Sequence, residues 1–195
     1  MRKCVVLAIA IVAVSAFVGC KDKKETRENP LHILIAEGYT IMTNMSGEKM
    51  EATGDLNLDK YEDKIMALFR VGEEGDEMSQ EDRVILLLLG QPDGTFALGA
   101  RNDKLLWHTN SGGAMGRPLW KIGIENGSFS IQQQRGSREL YTQTETFKYS
   151  SKDKDWFLDK IVESDVDRIE PNSETEKTKT VKDFGRISFN QYGGE

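Results

Sequence analysis

Residues 54 to 63 read Gly-Asp-Leu-Asn-Leu-Asp-Lys-Tyr-Glu-Asp. Counted from Asp55, side-chain oxygens fall at positions 1, 3, 5 and 9, on Asp55, Asn57, Asp59 and Asp63, and the Tyr61 carbonyl falls at position 7. Alternate residues of a tight loop point to one centre, so the spacing suits a single hard cation, and calcium takes six to eight such oxygens. Three of these donors are carboxylates that repel one another when bare, and a bound calcium would relieve that repulsion. The alternative is a metal-free loop of Asx turns whose carboxylates cap backbone amides.

A second reactive position lies near the start of the chain. Residues 1 to 20 begin with Arg2 and Lys3, continue as a small and β-branched apolar stretch from Cys4 to Val18, and end in Gly19-Cys20. The stretch is about 15 residues, short of the roughly 20 that span a bilayer, and the order is that of a bacterial secretory signal. Phe17-Val18-Gly19-Cys20 resembles the lipobox of bacterial lipoproteins, with Phe17 where leucine is usual. That resemblance implies removal of residues 1–19, thioether lipidation of Cys20, and anchoring to a membrane without crossing it. Cys4 lies in the removed piece, so Cys20 would be the sole cysteine of the mature chain, with no intramolecular disulfide. Residues 20–29 then read as the lipidated cysteine and a solvated tether.

The acidic loop does not fit an EF-hand: Lys60 stands where glycine is expected, and Met66 where a bidentate glutamate is needed. It resembles instead the FG-GAP or VCBS calcium loop of integrin-like blades, G-D-x-N-x-D-G-x-x-D before an apolar strand. Gly54, Asp55, Asn57, Asp59 and Asp63 match, Lys60 replaces the second glycine, and KIMALF follows. From residue 38 to 163 the chain is similar to small secreted or lipid-anchored bacterial proteins with one such loop, an apolar hairpin, a GG-x-x-G-x-P segment and a closing β-region. Arg117 departs from that group, standing before Pro118 where an acidic residue is expected. The resemblance implies a structural calcium held by Asp55, Asn57, Asp59, Tyr61 and Asp63, and no defined molecular role.

Elements of β type must position this loop. Leu31 to Ala36, or a short helix there, and Tyr39 to Thr43 open the domain, and Lys64 to Arg70 and Arg83 to Leu89 are apolar runs of strand length. The run at 83–89 is apolar on both faces and belongs inside a sheet. Pro92-Asp93-Gly94 and Glu125-Asn126-Gly127-Ser128 are hairpin turns. In the second hairpin Trp120, Ile122 and Ile124 share an expected apolar face, and strands follow at 140–150 and 155–163. Residues 171–183 read as a loop, and 185–190 as a last short strand. No long segment has a 3.6-residue apolar period, so the expectation is a mainly β, antiparallel single domain over residues 30–195.

Other tempting residues carry less. His32 and His108 lack a ligand pattern, and no Gly-x-Ser-x-Gly elbow accompanies them. Ser111 to Pro118 lacks the Lys-Ser/Thr ending of a P-loop and reads as a tight turn admitting close backbone approach. Trp107, Trp120 and Trp156 read as packing residues, and Arg135 and Arg138 as a solvated turn. Charge settles one class of partner: 26 basic residues face 32 acidic ones, and without residues 1–19 the balance is 24 against 32, near −8. Nucleic acid is excluded on that sign. The expectation is a noncatalytic, calcium-stabilised lipoprotein module of the bacterial envelope, at the outer membrane or cell surface in a diderm, with a protein or glycan partner. The rivals are an envelope hydrolase with carboxylates assembled by the fold and an assembly factor for an envelope complex.

Overall fold

A computed structural model describes residues 38–44, 46–70 and 83–194. The signal segment, Cys20, the tether, Leu31 to Ala36 and His32 lie outside the described residues. Among the described residues ten strands form two antiparallel sheets over one shared core, in keeping with the expected mainly β, antiparallel domain.

Sheet 1 is built on two apolar strands, β3 (Asp63–Arg70) and β4 (Arg83–Gly90), paired from Lys64↔Leu88 to Phe69↔Arg83. Alternation sends Ile65, Ala67, Phe69, Ile85 and Leu87 to the inter-sheet core, while Met66, Leu68, Val84, Leu86 and Leu88 form a second buried cluster with Tyr39 on the opposite face. β5 (Phe96–Asn102) flanks β4, which therefore lies inside the sheet as its two-faced hydrophobicity demands. On the other edge of β3, β1 (Tyr39–Ile41) and β2 (Glu51–Gly54) lie end to end. Sequence inspection misses β2, which has four residues, Glu-Ala-Thr-Gly, and no large apolar side chain to mark it.

Sheet 2 is a meander of β6 (Leu119–Glu125), β7 (Ser128–Gly136), β8 (Glu139–Ser150), β9 (Asp155–Asp167) and β10 (Glu170–Thr180). Its inner face supplies Phe129, Ile131, Phe147, Trp156 and Leu158 to the core. Phe129 and Phe147 stack at 5.1 Å, and Phe189 meets both edge-on at 5.3 Å, geometries that aromatic quadrupoles favour.

Three expectations need correction. Residues 171–183 are not a loop: most of them belong to β10, which pairs with β9 from Thr175↔Asp165 to Thr180↔Lys160, followed by the short helix α1 (Val181–Phe184). As an exposed edge strand β10 needs no apolar alternation, and its ladder bonds and threonines suffice. Residues 185–190 make only an isolated bridge, Phe157↔Ser188, and serve chiefly to deliver Phe189 to the core. Trp120 does not share a face with Ile122: a register shift between Leu119 and Lys121 turns Leu119 inward and leaves Trp120 55% exposed, while Trp107 and Trp156 are buried.

The glycine-rich stretch is a pair of 3-10 turns over Thr109–Met115, broken at Gly113, where φ is +60°. A Cβ on Gly113 would come within 3.2 Å of the Gly136 carbonyl, so the close backbone approach expected here is present. Among the described residues no helix is long and apolar enough to cross a membrane.

Candidate metal site

The acidic loop joins β2 to β3 and is anchored from below. Leu56 is fully buried, and Trp156 Nε1 donates to its carbonyl at 3.0 Å. The Gly127 amide, in the β6–β7 turn, donates to the Asp55 carbonyl at 2.9 Å, tying the loop to sheet 2. Gly90 lets the end of β4 pass beneath: a Cβ there would lie 2.3 Å from the Glu62 carbonyl.

Above these anchors the side chains organise the loop themselves. Asp55 Oδ1 accepts the Asp59 amide at 3.2 Å and Oδ2 the Lys60 amide at 3.0 Å. Asn57 Oδ1 accepts the same Asp59 amide at 3.1 Å, and its Nδ2 donates to Asp59 Oδ2 at 2.9 Å. Asp59 Oδ1 in turn accepts the Tyr61 amide at 2.8 Å. Asp55, Asn57 and Asp59 are thus knotted together as successive Asx turns, with Tyr61 placed by its N–H. Leu58 and Lys60 take the left-handed conformation, at φ +65° and +74°. Lys60 occupies the left-handed backbone region that glycine enters without strain.

Asp63 stands apart on the buried side. Its Oδ2 accepts the Leu56 amide at 2.7 Å and its Oδ1 the Gly90 amide at 2.9 Å, so one carboxylate bolts the loop to both β3 and β4. Burial pushes the Asp63 carboxyl above its ordinary range; the two amides pull it down, and the charges of Asp59 and Asp55 raise it again. The Tyr149 hydroxyl is raised too, by burial and then by Asp59 and Asp63. Negative field therefore accumulates in the loop, and every donor is a hard oxygen; on these two observations the residues suit a hard divalent cation. Among the described residues no three acidic or histidine side chains already stand in a ligating arrangement.

Sequence reading missed a second polar group, on the inner face of sheet 2 beyond the aromatic core. Lys179 Nζ donates to Glu163 Oε1 at 2.7 Å, the Tyr141 hydroxyl approaches Glu163 Oε1 at 3.1 Å and Gln143 Oε1 at 2.9 Å, and Gln143 Nε2 donates to the buried Glu145 at 2.7 Å. Tyr141, Gln143 and Glu145 recur at period two in the same strand as Phe147 and Tyr149, which is the signal that puts all five on one face. Glu163 borders a cleft of about 410 Å³ with Gln143, Lys179 and Tyr192. Burial opposes its ionisation, but the bonds from Lys179 and Tyr141 and the charges of Lys179 and Lys177 outweigh that, and its pKa is lowered. A carboxylate held ionised this way is an ion-pair member, poorly suited to giving up a proton as a general acid near neutrality. His108 is exposed beside a different cleft, and Arg138 stands in the solvated β7–β8 turn as expected, where it also makes a two-pronged bond to Asp167.

No protein-family model and no curated protein matches the chain. A solved structure, described as that of a Xanthomonas Type IV Secretion System related protein, is similar at 12% identity with a TM-score of 0.38. The alignment covers 71% of this chain and 57% of that one, so this chain spans less than two thirds of its length. No property is carried across at that level of likeness.

Proposed function

We propose that this chain is a bacterial lipoprotein whose mature part is a noncatalytic envelope module stabilised by one calcium ion. The anchor rests on a single run of sequence: a basic start, an apolar stretch too short to span, and Gly19-Cys20. The thiol of Cys20 supplies the nucleophile for thioether lipidation, and several acyl chains on one residue give stable attachment where one chain is marginal. The module then sits on a membrane facing the envelope, at the outer membrane or cell surface in a diderm, with an envelope protein or glycan as partner.

The loop is of the FG-GAP/VCBS type in this reading. Asp55, Asn57, Asp59 and the Tyr61 carbonyl would hold the ion, with the buried Asp63 behind them adding negative charge, and the ion supplies positive charge that offsets the crowded carboxylates. Carboxylate oxygens that accept an amide keep a further lone pair, so calcium need not displace every Asx-turn bond. The lowered pKa of Glu163 and its ion pair speak against its acting as the general acid of an envelope hydrolase, the rival reading.

Calcium titration by calorimetry should show binding in about the 0.1 to 1 mM range typical of extracellular modules. Asp55→Ala and Asp59→Ala should each abolish it, and undiminished binding in both would exclude this loop. The anchor is tested separately: intact-mass analysis of protein recovered from a bacterial membrane should show acyl chains on Cys20, lost in Cys20→Ser.

A further inference from the structure

The outer face of sheet 2 differs from the rest of the surface. Phe129, Ile131 and Gln133 of β7 and Gln143, Glu145 and Phe147 of β8 are buried, so alternation turns the residues between them outward. Those residues pair as Ser130↔Thr146, Gln132↔Thr144 and Gln134↔Thr142. β9 extends the rows, with Val162 beside Thr144 and Ser164 beside Thr142. Every one of them is part-exposed and uncharged, in a chain that is 30% charged. β10, at the edge of the same sheet, shows what a merely solvated strand carries here: exposed Glu174, Glu176 and Lys177. Gly123, opposite Ser130, has no side chain to fill its row, and a groove of about 260 Å³ opens there between Ser130, Thr144, Thr146 and Val162. Its lining also takes in Glu125 and Lys160, one charge of each sign. Across the register shift two residues of β6, Trp120 and Lys121, stand against the single Gln132, which sets the exposed indole at the border of the field.

Elimination by charge and polarity selects the ligand. A charged partner would give up its hydration with no excess of opposite charge in the field to replace it, and an apolar partner would bury hydroxyls and amides without acceptors or donors. An uncharged polyol does neither. Its hydroxyls donate and accept as those of Ser and Thr do, and each Gln amide offers two donors and an acceptor. Among the described residues the bond from Gln134 Nε2 to Thr142 Oγ1 at 3.3 Å is the one side-chain hydrogen bond within this field, so most of that capacity faces outward. The indole adds a flat apolar plate with a polar edge, suited to the C–H face of a sugar ring. We infer that this face binds an uncharged polysaccharide, laid along the rows of Ser, Thr and Gln with one ring against Trp120. This glycan is the partner left open in the envelope reading above, on which its availability rests; neither the calcium loop nor Cys20 contributes a residue to the face.

The test is calorimetry on the full chain with two soluble probes, cellohexaose for plain hexose polymers and chitohexaose for acetamido ones. At least one should bind saturably and with little change as salt rises, since no charge is paired. Trp107 and Trp156 are 8% and 2% exposed, so acrylamide quenching of tryptophan fluorescence reports chiefly Trp120, and the bound sugar should protect it. Trp120→Ala and Thr144→Lys should each weaken binding about tenfold or more, while Leu98→Ala, exposed on sheet 1, should not. Both altered side chains face outward, so neither variant empties the core. Absence of binding by both sugars at millimolar concentration, a steep salt dependence, or undiminished binding in both variants would overturn the assignment. So would a dimer that Thr144→Lys dissolves while neither sugar binds. Acyl chains found on Cys20 with no sugar bound would reject the glycan and leave the envelope reading standing.

Discussion

Lys60 and Asp63 show how much one residue contributes to the acidic loop. A left-handed non-glycine residue costs roughly 1 to 2 kcal/mol, part of which a glycine returns through its looser unfolded chain. Lys60→Gly should therefore raise stability by about 1 kcal/mol, or about 2 to 4 °C in a thermal melt of a chain this size, and should tighten calcium by removing a nearby positive charge. Asp63→Ala should do the reverse. It leaves the Leu56 and Gly90 amides without their acceptor, each at about 1 to 3 kcal/mol, and urea denaturation should show a loss of about 2 to 4 kcal/mol. The raised pKa of Asp63 sets a sign as well: its share of stability is complete below the unfolded value of 3.8 and is lost as pH rises through the higher folded value. Calcium, which favours the ionised form, should flatten that fall. The oxygen spacing of the loop was legible in the sequence because it is local. The split between three turn-formers, Asp55, Asn57 and Asp59, and one buried bolt was not, because Gly90 lies 27 residues beyond Asp63 and no local pattern links them.

Strands became readable in proportion to what they bury. β3 and β4 carry continuous apolar runs and stand where expected, as do the two turns with Asp93-Gly94 and Asn126-Gly127. β10 escaped notice since nearly all of it faces water, and the bulge that turns Trp120 outward depends on pairing with β7, which hydrophobic alternation within β6 alone does not encode. The β9–β10 pair is held partly by Lys179 and Glu163, and this pair makes a prediction at the level of the element. Because the folded pKa of Glu163 is lowered, its contribution is present above the unfolded value of 4.5 and disappears as pH falls through the folded value. Urea midpoints measured from pH 5 to pH 3 should fall for the native chain, and Lys179→Met should make the fall shallower. An unchanged acid slope in that variant would assign the effect to other carboxylates.

At the scale of the molecule the two sheets are locked by a segment distant in sequence from most of what it touches. Buried Asn102 accepts the Lys104 and Leu105 amides and donates to the carbonyls of Phe189 and Tyr192, so the end of β5 and the residues after α1 are fastened at one point. Phe189 is fully buried among Phe129 and Phe147. Phe189→Ala should cost about 3 to 5 kcal/mol, read as a cooperative loss in denaturant midpoint, because the cavity it leaves borders both sheets. The mainly β, antiparallel class was visible in advance from short strands and turn residues, whereas the division into two sheets and the closing role of residues 185–194 depend on long-range contacts, with β5 some 90 positions earlier.

That fastening orders events in time. When a polypeptide emerges from a ribosome in sequence, Asn102 and the aromatic pocket appear before the partners that complete them. The two sheets can close around Phe189 only once residues 185–194 are free to reach the pocket, so the clasp on Asn102 is made late in any sequential appearance of the chain.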